Sequence, residues 1–98
     1  MDQVPLHEAL RDRERVLRAF LDDDGRISTM PAKHRKRLVV LDHVARVFTP
    51  GERYSELDVN VILRAFTDDY VTLRRYLVDA GFLDRDHGVY WRTGGTVL

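Results

Sequence analysis

Residues 54–92 read YSELDVNVILRAFTDDYVTLRRYLVDAGFLDRDHGVYWR and carry the strongest local structural signals of the chain. Ser55 with Asp58 resembles a capping box with Asp in the Glu position, and Val59, Ile62, Leu63 and Phe66 follow at helical spacing, which predicts a helix from about Ser55 to Phe66. Thr67, Asp68 and Asp69 make a tight turn, with Thr67 the expected cap of a second helix. That helix gathers Tyr70, Leu73, Tyr76, Leu77 and Ala80 on its inner side and turns Val71, Thr72 and Arg75 outward, with Arg74 on the flank. Gly81 fits the left-handed residue that closes it. Phe82 to Asp86 and Val89 to Arg92 alternate as two strands around Asp86, His87 and Gly88. Two short helices, a sharp turn and a hairpin behind the second helix are the layout of a winged helix-turn-helix.

Outward from this unit, Pro31 is placed in the opening turn of a helix that runs to about Phe48. Leu38, Leu41, Ala45 and Phe48 form one stripe, and Val40, Val44 and Val47 widen it, so this is the expected central core helix. Its first turns carry Lys33, His34, Arg35, Lys36 and Arg37. A helix N-terminus already bears partial positive charge, so a nearby anion would resolve the conflict: the Asp22 to Asp24 turn folding back or a phosphate, the alternative being a run that is merely solvated. Asp22, Asp23, Asp24 and Gly25 end an earlier helix, about Leu6 to Leu21, whose apolar stripe is Leu6, Leu10, Leu17 and Phe20, with Glu14 and Arg18 paired four apart. Residues Arg26 to Thr29 can add a short strand. The Asp-rich turn fails as a calcium loop, because Phe20 would be the first ligand and Pro31 would fall where the bidentate Glu is needed.

The chain has 98 residues, 44% hydrophobic and 33% charged, enough for one soluble globular domain with a single core. With no cysteine there is no disulfide framework and no thiolate metal site or nucleophile. The apolar runs are too short to span a bilayer and the N-terminus lacks a signal-peptide pattern, so no membrane partner and a cytoplasmic location are expected. The expected organisation is mostly α (α+β): a single winged-helix domain over 1–92, made of an N-terminal helix (1–21) and a core (22–92), with a small antiparallel sheet and a loose tail over 93–98.

The blocks FLDDDGRI, PAKHRKRLVVL, FTPGERYSELDVNVIL, DDYVTLRRYLVDAGFLDRD and YWR, in that order from Phe20 to Arg92, resemble the bacterial domain of unknown function 2087. The resemblance implies a winged-helix-like module that occurs alone or attached to the DNA-binding parts of transcriptional regulators. It brings no established activity and no catalytic or ligand residues.

The first functional expectation is a transcription-regulator-type module that binds double-stranded DNA weakly or as a dimer. Val71, Thr72 and Arg75 would meet base edges, with Arg75 bidentate to guanine. Arg74, Arg85, Arg92 and His87 would hold phosphates, as would Lys33, Arg35, Lys36 and Arg37 if that helix end faces the backbone. Charge opposes this. Sixteen basic and sixteen acidic residues cancel, and Asp68 and Asp69 stand at the start of the reading helix. Asp79 and Asp68, four beyond Arg75 and Arg64, offer both arginines local partners.

The second expectation, from another class, is a protein-interaction or ligand-sensing module of the same shape, or a domain that pairs with itself as a homodimer. Tyr90 and Trp91 suit a binding surface, although a small domain needs its aromatics inside, which favours core for Trp91. Enzyme chemistry is not expected. There is no Gly-rich phosphate loop, nucleophile elbow or His pair at ligand spacing, and no cofactor or metal is implied.

Overall fold

The computed structural model describes residues 5–96. Five α-helices and three strands follow in order: α1 (Leu6–Ala9), α2 (Arg13–Phe20), α3 (His34–Ala45), β1 (Arg53–Ser55), α4 (Glu56–Arg64), α5 (Tyr70–Asp79), β2 (Leu83–Asp86) and β3 (Val89–Arg92). The strands form one antiparallel sheet in the order β1-β3-β2. This is the expected α+β class, a helix pair backed by a hairpin.

The helix-turn-helix elements form for the reasons their residues suggest. Ser55 Oγ accepts from the Asp58 amide at 3.1 Å, which caps α4. The cap of α5 falls two residues beyond the expected Thr67: the Asp69 carboxylate accepts from the Thr72 amide, while Thr67 Oγ1 accepts from the Asp69 amide at 3.1 Å and shapes the turn before it. Gly81 has φ +82 and ends the helix left-handed. The hairpin turn is His87–Gly88, with φ +49 and +75, the positive pair that a two-residue type I′ turn requires. Asp86 belongs to β2, opposite Val89.

β1 is an element the sequence reading did not place. Its register pairs Arg53 with Trp91, Tyr54 with Tyr90 and Ser55 with Val89. The strand is three residues long, too short for an alternation signal, and it exists because β3 offers an edge beside the entry to α4. Tyr90 and Trp91 consequently point to opposite faces. Tyr90 is buried in the core and its hydroxyl donates to Glu56 Oε1 at 3.1 Å. Trp91 corrects the expectation of a core residue: it lies half-buried on the outer sheet face, with the Arg53 guanidinium 4.9 Å above its ring.

The core is built on α3. Leu38, Val39, Val40, Leu41, Val44, Ala45 and Phe48 are buried and meet Val59 and Leu63 of α4, Leu73 and Leu77 of α5, and Phe82, Leu83 and Tyr90. Val47, expected to widen the apolar stripe, is exposed. The helix is shorter than 31–48 at both ends. Pro31 is buried ahead of it, and beyond Ala45 the amides of Val47 and Phe48 bond three residues back, so the last turn tightens.

The N-terminal helix expected over 6–21 is two helices separated by a 3-10 turn at Leu10–Asp12, and this break lets Ala9 of α1 and Val16 of α2 both bury against α3. Leu6, Leu10, Leu17 and Phe20 pack on the core rim. In place of a strand over 26–29 there is one bridge, Leu21 to Ile27, because the Ile27 amide turns to the Phe66 carbonyl at 2.8 Å.

The tail differs most from expectation. Over 93–96 it is fastened: the Thr93 amide donates to the Phe82 carbonyl at 3.0 Å, and Thr96 binds the carboxylate of Asp42 through its amide at 2.7 Å and its hydroxyl at 2.9 Å. Asp42 is 0% exposed inside the run LVVLDHVA, and Arg46 lies 3.6 Å from the same carboxylate. Arg92, expected at a phosphate, instead donates to the carbonyls of Phe48, Gly94 and Thr96. Gly95 passes so close that a Cβ there would stand 3.0 Å from Asp42 Oδ1 and 3.2 Å from Phe82. Residues 97 and 98 of the expected tail lie outside the described residues.

Candidate nucleic-acid interface

The eleven residues nominated for DNA separate into groups that work inside the fold, Arg92 among them, and groups that face solvent. Arg74 belongs to the first. Its side chain is 15% exposed, donates to Asn60 Oδ1, stands 3.9 Å from Glu56 Oε1, and lies 5.9 Å over the Tyr90 ring. Arg74 therefore joins α5 to α4 and to the hairpin, and its guanidinium is spent there. Arg37 also faces inward. It sits 4.9 Å over the Tyr76 ring and reaches the carbonyls of Pro31 and Ala32.

Thr72 is half-buried rather than outward, since it helps line a cleft of about 190 Å³ between the start of α5 and the 27–30 segment. Val71 and Arg75 are exposed as expected. The expected Arg75–Asp79 and Arg64–Asp68 pairs are absent among the described residues. Asp68 pairs with Arg26 at 2.8 Å, and Arg64 stacks 4.7 Å over the Tyr70 ring. Arg26 thus ties the Asp turn region to the helix-turn-helix, an ion pair between positions 42 apart that spacing cannot reveal.

At the start of α3, Lys33, His34, Arg35 and Lys36 are exposed. The Asp turn does not fold back onto this run: Asp22 Oδ1 is occupied by the amides of Asp24 and Arg26, each at 2.9 Å. Arg35 donates to the Glu8 carbonyl at 3.0 Å, and no carboxylate lies within ion-pair distance of the 33–37 run among the described residues.

On the hairpin, Arg85 is exposed across from Tyr90, whose hydroxyl, as a hydrogen-bond partner, raises the Arg85 pKa further and keeps it charged. His87 is exposed at the tip and its Nδ1 stands 2.7 Å from Asp86 Oδ1. Asp84 and Asp86 flank Arg85 along β2, and the Glu56 amide bonds the Gly88 carbonyl at 3.0 Å, so Glu56 joins the acids at this end. Acids therefore bound the helix-turn-helix at both ends, with Asp68 and Asp69 at the turn and Glu56, Asp84 and Asp86 at the hairpin.

His43 is the residue whose chemistry sequence reading missed. Its Nδ1 lies 3.1 Å from Arg13 Nη2, and its ring meets Phe66 edge-on at 6.2 Å. Burial, then the charges of Arg13 and Arg46, hold its pKa below the ordinary value, against a weaker opposite pull from Asp42. Among the described residues no three His, Asp or Glu side chains gather as a metal would need, and no helix is long and apolar enough to cross a membrane.

Fold and site together define a small α+β domain with a hairpin-backed helix pair of mixed surface charge. The chain belongs to the bacterial family described as uncharacterized protein conserved in bacteria (DUF2087), whose model matches residues 26–92. No curated protein and no solved structure matches it.

Proposed function

We propose that this domain is a protein-interaction module in winged-helix form, which presents the acids around its helix-turn-helix to a basic partner surface in a bacterial regulatory setting. The observation that carries this reading is the balance of charge left facing solvent: Arg74 is consumed by Asn60, Glu56 and Tyr90, and the exposed Arg75 and Arg85 are outnumbered by Asp84, Asp86, Asp68 and Asp69 around the unit. A phosphate backbone approaching α5 and the hairpin would meet more carboxylates than free guanidinium groups, and the zero net charge supplies no compensating attraction. A cytoplasmic location fits this role.

A second reading retains DNA, carried by the opposite end of the molecule. Lys33, His34, Arg35 and Lys36 surround the free amides of α3 with no acid in the first turn, an arrangement that suits a single phosphate contact. Amide-resolved NMR separates the two. Adding a decalysine peptide is expected to shift residues 68–72 and 84–87, and the shifts should fade as salt rises. Shifts absent there, with residues 33–37 responding to duplex DNA instead, would overturn the first reading in favour of the second.

A further inference from the structure

We propose that the outer face of α4 is a self-association surface whose occupant is a second copy of this chain. Leu57 and Val61 are 77% and 65% exposed, the highest values among the large apolar side chains of the described residues. They stand one turn apart, with exposed Ala65 one turn further, opposite the buried Val59 and Leu63. Lone exposed apolar residues are ordinary, but a stripe on one helix face is a candidate contact.

Charge selects the occupant. Asp58 and Arg64 lie three residues before and after Val61, which places them about 4.5 Å along the axis in opposite directions and about 60° to opposite sides of the stripe. A two-fold axis through Val61, with the two helices crossing steeply, sets Asp58 of each copy beside Arg64 of the other. The same operation packs Leu57 on Leu57, Val61 on Val61 and Ala65 on Ala65. The patch is therefore complementary to itself, which is what a closed, isologous dimer requires. A purely basic partner would meet Arg64 and a purely acidic one Asp58.

Neither charge is neutralised within its own chain. Asp68, the expected partner of Arg64, is taken by Arg26, which leaves Arg64 on the Tyr70 ring with a 3.4 Å contact to its hydroxyl. The Asp58 carboxylate has no ion-pair partner among the described residues. One helix face buries little area, so the dimer is weak and dissociates on dilution.

Sedimentation equilibrium from micromolar to millimolar concentration tests this. The average mass should rise toward that of a dimer, and Val61→Glu should hold it at the monomer. Asp58→Arg and Arg64→Asp should each weaken association by about tenfold or more, while the double variant regains the wild-type constant. Thermal melting checks each fold. If Asp58→Arg loosens the start of α4, Val61→Glu and Arg64→Asp carry the decision alone. A wild-type mass that stays monomeric throughout, a Val61→Glu variant that still associates, or a folded double variant as weak as the singles would overturn the proposal. Glu56, Asp84 and Asp86 are untouched, so this result stands apart from that of the acidic surface.

Discussion

Arg74 and Arg75 are neighbours in sequence with opposite duties. Arg74 is held by Asn60, Glu56 and the Tyr90 ring, whereas Arg75 faces solvent. Arg74→Ala is expected to lower unfolding free energy by about 1 to 3 kcal/mol, because Asn60 loses a charged donor and packing is lost along the guanidinium stem. Arg75→Ala should change it by less than about 0.5 kcal/mol. Urea denaturation of the two variants measures the difference. His43 adds a pH dependence of definite sign. Folded His43 binds its proton less tightly than the ordinary 6.5, because it is buried and faces Arg13 and Arg46, with Asp42 beside it pulling weakly the other way. Its contribution to stability is full above pH 6.5 and declines as pH falls below it toward the folded value. The fall in melting temperature between pH 7.5 and pH 5.5, bracketing 6.5, should be larger in the wild type than in His43→Gln. Val71 and Arg75 were legible as outward positions, since helical period alone settles them. Thr72 and Arg74 were not, because what covers them comes from residues 27–30 and from Asn60.

The elements with strong local signals lie where the sequence places them: Ser55 caps α4, Gly81 closes α5, and His87–Gly88 turns the hairpin. The misread elements depend on distant partners. β1 needs the free edge of β3, and the 93–96 segment needs Asp42, 54 positions before Thr96. Thr93, Gly94, Gly95 and Thr96 look like linker material because glycine signals freedom locally; here Gly95 is the residue small enough to pass Asp42 and Phe82. The charge in LVVLDHVA was the available sign that something must return to satisfy it. Asp42→Ala leaves the Thr96 amide and Arg46 without their acceptor and is expected to cost about 3 to 5 kcal/mol. Thr96→Ala should cost about 1 kcal/mol, and the double variant should cost less than the sum. Guanidinium denaturation of this set reports the coupling.

At the scale of the whole molecule, helix and hairpin periodicity made the α+β class readable, and the family match over residues 26–92 agrees with the ordered blocks that suggested it. The distribution of charge was not readable. Zero net charge leaves open whether cations gather on one face, and the answer rests on tertiary pairings such as Arg26 with Asp68 and Arg37 with Tyr76. In the proposed function the α4–α5 pair and the hairpin meet a basic protein surface rather than phosphate. Fluorescence anisotropy of a labelled random duplex, titrated with the full chain from about 25 to about 200 mM salt, tests it most directly. The expected result is no saturable binding through α5 and the hairpin even at the lowest salt, and no change on Arg75→Ala or Arg85→Ala. Saturable binding that weakens linearly on a logarithmic salt scale, with a slope reduced by about one for each of those two substitutions, would contradict it.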